Sequence, residues 1–256
     1  MNNKYHYLFF SVVTIVLTAS AAMAPQNANA PVLIPRILRA IPHDPSAFVQ
    51  GLVYANNVLY ESNGLYNKSS LRIINASSGS TIKSLMVPGV FAEGLTVMKN
   101  QLVQLTWREQ VALRYDLQGN PHGTYTYTGE GWGITTIKNN YVMSNGSDTL
   151  YFRDSGFTVI KKIAVTDCHR PLKNLNELEF VNGTIYANIW YDNRIAAIDP
   201  KNGAVTAFLD CGTLVRRANV QTEGAVLNGI AFNPRTKTFF ITGKLWPVIF
   251  EVSIDR

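Results

Sequence analysis

Five times between residue 48 and the C-terminus the chain repeats one phrase, a short strand, a tight polar turn and a second strand. The phrases are "FVQGLVYANNVLYESNG", "FAEGLTVMKNQLVQLTW", "GWGITTIKNNYVMSNGS", "LNELEFVNGTIYANIW" and "LNGIAFNPRTKTFFITGKLW". After each comes a third run ending in a polar turn, as in "LRIINASSGS" and "RIAAIDPKNG". The first four are followed by a fourth, such as "TIKSLMV" or "AVTAFLD". With Gly51, Gly94, Gly133, Leu178 and Gly229 as phase markers, the steps are 43, 39, 45 and 51 residues. Four short strands every 40 to 50 residues is the period of a propeller blade, so the repeat predicts an all-β, five-bladed β-propeller of four-stranded antiparallel blades. A β-sandwich is the alternative that short strands alone allow. The last blade runs out of sequence after its third strand, and the unassigned segment "VLIPRILRAI" at 32–41 is expected to supply the fourth. That arrangement removes an exposed sheet edge.

Ahead of the repeat, Lys4, the apolar run "YLFFSVVTIVLTAS", and the small-residue sites "AMA" at 22–24 and "ANA" at 28–30 have the order of a secretory signal. We expect a signal peptide over 1–24, with cleavage as late as 30, and one catalytic domain over 31–256 that is exported to the periplasm or secreted. A retained anchor is the rival, but the run is shorter than the roughly 20 residues a spanning helix needs. In an oxidising compartment Cys168 and Cys211 are candidates for a disulfide, with two free thiols as the alternative. Neither cysteine sits in a C-x-x-C pair, and the four histidines form no HExxH pattern, so no zinc site is expected. The formal net charge of +6 is scattered along the chain, which argues against nucleic acid as a partner.

In a propeller the start of each first strand and the end of each second strand meet at the same face. That geometry gathers Phe48, Gln50, Phe91, Glu93, Trp132, Asn176 and Glu177 with Glu61, Trp107, Trp190, Lys244 and Trp246, a set holding every tryptophan of the chain. Aromatic walls with a few directional polar groups are the composition of a small-molecule pocket.

The phrases "FVQGL", "YESNGLYNKSSL", "FAEGLT", "QLTW", "GWGIT", "LNELE", "YANIW", "LNGIA" and "TGKLWP" together resemble the plant and bacterial type of glutaminyl cyclase, the glutaminyl-peptide cyclotransferases, from about residue 41 onward. One departure is Asn145, where the family commonly has an aspartate; that loop is assigned no role. The resemblance implies an ammonia-releasing acyltransferase that converts the N-terminal glutamine of a peptide or protein to pyroglutamate. It implies Glu93 as general acid and base, and Lys244, Asn176 and Gln50 as polar catalytic groups, with the residue facing the oxyanion left open. Phe48, Phe91, Trp107, Trp132 and Trp190 are the expected substrate-binding walls. No cofactor or catalytic metal is expected, a structural ion in the channel being the exception that main-chain carbonyls and carboxylates allow. The expected partners are peptides or proteins beginning with glutamine, with no membrane after signal cleavage and a monomeric state. Two rivals are a non-catalytic propeller binding a peptide on this face, and a metal-dependent lactonase-like propeller using Asn176, Glu177 and Glu93.

Overall fold

Each polar turn of the repeat supplies residues that tolerate a left-handed backbone, Asn56 and Asn57, Lys99 and Asn100, or Asn182 followed by Gly183, and each therefore closes a tight hairpin. The computed structural model describes Met1 and residues 30–254, so the expected signal peptide beyond Met1 lies outside the described residues. Blade 1 consists of Val49–Ala55, Val58–Asn63, Ser70–Asn75 and Thr81–Met86, hydrogen-bonded in that order from the channel outward. Blade 2 is Ala92–Met98, Gln101–Thr106, Val111–Asp116 and Pro121–Thr126, and blade 3 is Ile134–Ile137, Asn140–Met143, Thr149–Arg153 and Val159–Ala164. Blade 4 is Leu175–Val181, Thr184–Ile189, Arg194–Ile198 and Val205–Asp210. In blade 5, Leu227–Asn233, Thr238–Gly243 and Val248–Ser253 are followed outward by Arg36–Pro42, which pairs antiparallel with Val248–Ser253. The architecture is a five-bladed propeller of four-stranded antiparallel sheets.

Two departures from the sequence reading have local causes. The segment 32–41 is divided between blades rather than forming one strand. Val32–Leu33 lies parallel to Val205–Asp210 at the edge of blade 4, and only Arg36–Pro42 joins blade 5. Pro35, which has no N–H to give a ladder, sits between the two parts. The 51-residue step is the longest because a helix, Gly212–Ala218, is inserted between blades 4 and 5. It buries Leu214 and Ala218 and ends on Asn219 in the left-handed conformation.

Hydrophobic residues of facing blades fill the spaces between sheets, and the largest such cluster joins blades 4 and 5 through Ile195, Leu209, Ile230, Ile241 and Trp246. The inner strands approach each other closely where the phase-marking glycines lie. A Cβ on Gly94 would sit 2.7 Å from the carbonyl oxygen of Trp132, and one on Gly133 would overlap the backbone of Asn176. Those slots accept no side chain, which is the physical meaning of the recurring glycine. Cys168 is exposed and Cys211 buried, and no disulfide joins them.

Candidate active site

Four of the five inner strands carry an irregularity at the same point. Register shifts fall between Val49 and Gly51, Ala92 and Leu95, Leu175 and Leu178, and Leu227 and Ile230. In each case the inner strand carries one more residue than its partner across the shift, which is a β-bulge and re-aims the side chains within it. The first residue inside each bulge is Gln50, Glu93, Asn176 or Asn228, followed in the last three by Gly94, Glu177 and Gly229. A repeated backbone defect therefore delivers four polar side chains toward one end of the channel.

Gln50, Glu93 and Asn176 open on a cavity of about 220 Å³ lined by Phe48, Gln50, Phe91, Glu93, Trp107, Trp132, Asn176, Trp190, Tyr191, Gly224 and Lys244, with Asn228 behind Gln50. All nine residues that the sequence reading singled out as catalytic or substrate-binding line this one space. The walls are mutually braced: Phe91 stands edge-on to Phe48 at 6.2 Å and to Trp107 at 5.6 Å between ring centres, and Trp132 stands edge-on to Trp190 at 5.3 Å. Trp190 and Tyr191 form the outer rim, 38% and 64% exposed.

Glu93 is 5% exposed, and its Oε1 accepts a hydrogen bond from Gln50 Nε2 at 2.8 Å. Gln50 Oε1 in turn accepts from Asn228 Nδ2 at 3.5 Å, while the same nitrogen donates to the Val49 carbonyl at 2.9 Å. Gln50 thus spends an N–H on the carboxylate it faces. Burial pushes Glu93 well above the usual carboxylate range, and Lys244 draws it part of the way back. Lys244 Nζ lies 4.8 Å from the centre of the Phe48 ring, and burial brings its pKa down to about 8 against the opposing pull of Glu93. Asn176 is 3% exposed and its Oδ1 has no partner. A buried acceptor of that kind costs about 1 to 3 kcal/mol until a donor reaches it, so a ligand N–H in the cavity is favoured.

Three residues of the predicted converging set lie elsewhere. Glu61 is fully buried and accepts from His43 Nε2 at 2.6 Å and Asn63 Nδ2 at 2.8 Å. His43 Nδ1 reaches the Trp246 carbonyl at 2.8 Å, so this network anchors the segment after Lys244. Trp246 is 1% exposed and belongs to the core. Leu245, in the left-handed region at φ 61°, turns the chain so that the Trp246 indole lies over the bare Cα of Gly243. Glu177 is fully buried and accepts from the Leu52 N–H at 3.3 Å and the Ile230 N–H at 2.9 Å, clipping the inner strands of blades 1 and 5 to blade 4.

The sequence reading missed Tyr191 and Gly224 on the lining, and Asn228, whose place in "LNGIA" matches that of Asn176 in "LNELE". It also missed Glu130. One oxygen of Glu130 accepts from both Trp107 Nε1 at 2.8 Å and Trp132 Nε1 at 3.0 Å, and the other from Arg108 Nε at 3.1 Å. This carboxylate fixes two indoles of the wall from behind.

The sequence profile of glutamine cyclotransferases matches residues 10–254. The glutaminyl-peptide cyclotransferase of Arabidopsis thaliana is 35% identical over 232 residues, which cover 86% of this chain and 71% of that protein. The crystal structure of Myxococcus xanthus glutaminyl cyclase superposes with a TM-score of 0.84 at 36% identity, covering 88% of this chain and 98% of that one. The chain is a member of the glutamine cyclotransferase family.

Proposed function

We propose that the protein cyclises the N-terminal glutamine of peptides or proteins to pyroglutamate with release of ammonia, by proton transfer through Glu93 and without a metal. The observation that carries this reading is a single buried carboxylate, braced by Gln50 and drawn on by Lys244, in an aromatic cavity the size of one side chain and its backbone. The family and the names of its relatives support the same activity.

In the reaction the substrate's α-nitrogen attacks its own side-chain carboxamide carbon. The amine gives a proton to Glu93, a tetrahedral oxyanion forms, and Glu93 returns the proton to the departing nitrogen as the C–N bond breaks and ammonia leaves. A carboxylate whose pKa burial has raised above its ordinary range holds a proton more readily and suits both halves of that relay. Asn176 Oδ1 offers an acceptor to the substrate's amine or amide N–H, and Lys244, the cation that draws on Glu93, a charge that can offset an oxyanion. The aromatic walls exclude water and fold the substrate side chain back on its amine, so that nucleophile and electrophile meet within one residue.

What supports the metal-free reading is the donor set: one carboxylate, one amine and two carboxamides line the cavity. Among the described residues no three His, Cys, Asp or Glu side chains gather as a metal site would require. On this reading the substrates are peptides or proteins beginning with glutamine, and the protein acts as a monomer, exported behind its N-terminal leader to the periplasm or medium. The test is incubation with a glutamine-initiated tripeptide while ammonia is followed, with a chelator in a parallel sample. Equal release in both samples is expected. No ammonia from the folded protein would reduce the site to a binding pocket, and loss in chelator restored by zinc would overturn the metal-free chemistry.

A further inference from the structure

A second cavity of about 240 Å³ lies where blade 3 faces the segment connecting it to blade 2, lined among others by Thr128, Glu130, Asn145, Tyr151, Arg153 and Lys162. Arg153 is 5% exposed yet lines it. Its Nη1 donates to the Phe157 carbonyl at 2.9 Å, its guanidinium carbon lies 4.9 Å from the Phe157 ring centre, and its Nε has no partner. Among the described residues no carboxylate forms an ion pair with it. A guanidinium does not shed its proton in proteins, so it is a buried cation lacking a counter-ion.

The remaining lining leans the same way. Lys162 stands opposite Tyr151 in the ladder, its Nζ 5.2 Å from that ring's centre. Asn145 brings a neutral carboxamide whose Nδ2 lies 3.4 Å from the Tyr151 hydroxyl. Glu130 is the one carboxylate on the lining; its oxygens are taken by Trp107, Trp132 and Arg108, and Arg108 offsets its charge. Arg153 and Lys162 therefore leave the cavity electropositive.

We propose that this cavity is a carboxylate-binding subsite, filled by an acidic residue of the substrate that follows the N-terminal glutamine. The inference rests on the cyclase reading. Glu130 links the two spaces: it lines the second cavity and hydrogen-bonds two indoles that wall the first. On this reading the first cavity takes one residue, and the chain beyond it passes the indoles of Trp107 and Trp132 that Glu130 holds. A planar guanidinium with a nearby ammonium matches a carboxylate.

The test compares kcat/KM for amidated glutamine-initiated peptides with glutamate at the second, third or fourth position against partners with glutamine there. At least one acidic position should raise kcat/KM about tenfold, chiefly through KM, since the contact is equal in ground and transition states. The ratio should fall toward one in Lys162→Gln, in Arg153→Gln, and in about 1 M salt, where the screening length shrinks to about 3 Å. Arg153→Gln loses a buried bond and risks misfolding; Lys162 is exposed, so its variant reads the ratio in an intact core. Free acetate and inorganic phosphate, titrated by calorimetry, separate a substrate carboxylate from a free anion. Binding of these with no advantage for acidic peptides would overturn the substrate assignment. A ratio of one at all three positions, with neutral peptides turned over, would overturn the subsite and leave the cyclase reading standing. Should no peptide be cyclised, calorimetry on the same pairs decides: an affinity gain for acidic peptides that Lys162→Gln abolishes upholds the subsite, and equal affinities sink it.

Discussion

Replacing Glu93 with glutamine separates chemistry from packing. The side chain keeps its length and still offers an oxygen to Gln50 Nε2, which now donates to Glu93 Oε1 at 2.8 Å. What disappears is the group that accepts the amine's proton and returns it to ammonia. General acid and base transfer contributes typically 10²- to 10⁴-fold, and at about 1.4 kcal/mol per decade the barrier should rise by roughly 3 to 6 kcal/mol. The loss should fall on kcat with KM little changed, because an uncharged isostere preserves the cavity's shape. Stability should move the other way. Burial raises the folded-state pKa of Glu93 above its unfolded value, so the wild-type protein loses stability as pH rises from the ordinary carboxylate value of 4.5 toward that raised pKa. Glutamine carries no such penalty, and Glu93→Gln should melt no lower than wild type at pH 8. The assay is ammonia release at saturating peptide, with thermal melting at pH 5 and pH 8. A folded variant with kcat within about threefold of wild type would refute proton transfer through Glu93.

Lys244→Met should lower kcat/KM and move the acidic limb of the pH profile upward, since Lys244 is the group drawing the Glu93 pKa down; an unmoved limb would argue that the two do not communicate. Glu179 has a folded-state pKa of about 8 against an ordinary 4.5, so its contribution to stability is full below 4.5 and lost as pH rises toward 8. That decline is at most about 1.4 kcal/mol per pH unit, and Glu179→Gln should flatten it, as denaturant titrations at several pH values would reveal. Replacing Cys168 and Cys211 together by serine should leave turnover unchanged, because neither lines the cavity, while burying a serine hydroxyl in place of Cys211 lowers the melting temperature; a folded but inactive variant would point to a thiol in the chemistry.

Much of the fold was legible because a propeller writes itself into sequence at every blade. Most hairpins turn on Asn, Lys or Gly in the left-handed region, and glycine recurs on the inner strands where Gly94 and Gly133 meet a neighbouring backbone. Those local requirements recur every 39 to 51 residues, so sequence alone determined the blade number and the end of the channel where unusual residues collect. The identities of the cavity residues followed, since Phe48, Glu93, Trp107 and Lys244 all sit at strand starts or ends.

Direction was another matter. Glu61 and Trp246 occupy strand ends as Trp107 and Trp190 do, yet they turn into the His43 network and the core. Bulges at Gln50, Glu93 and Asn176 set which way those side chains point, and a bulge depends on the register of the partner strand rather than on the residue's own neighbours. Pairing partners are likewise nonlocal. Nothing adjacent to Glu130 in the chain foretells that its carboxylate holds the indole of Trp107 from the preceding blade, nor that Arg153 is buried without a counter-ion beside it. Sequence determined which side chains reach the channel mouth; the tertiary structure decided their aim and their charge environment, because both arise only when distant strands are brought into register.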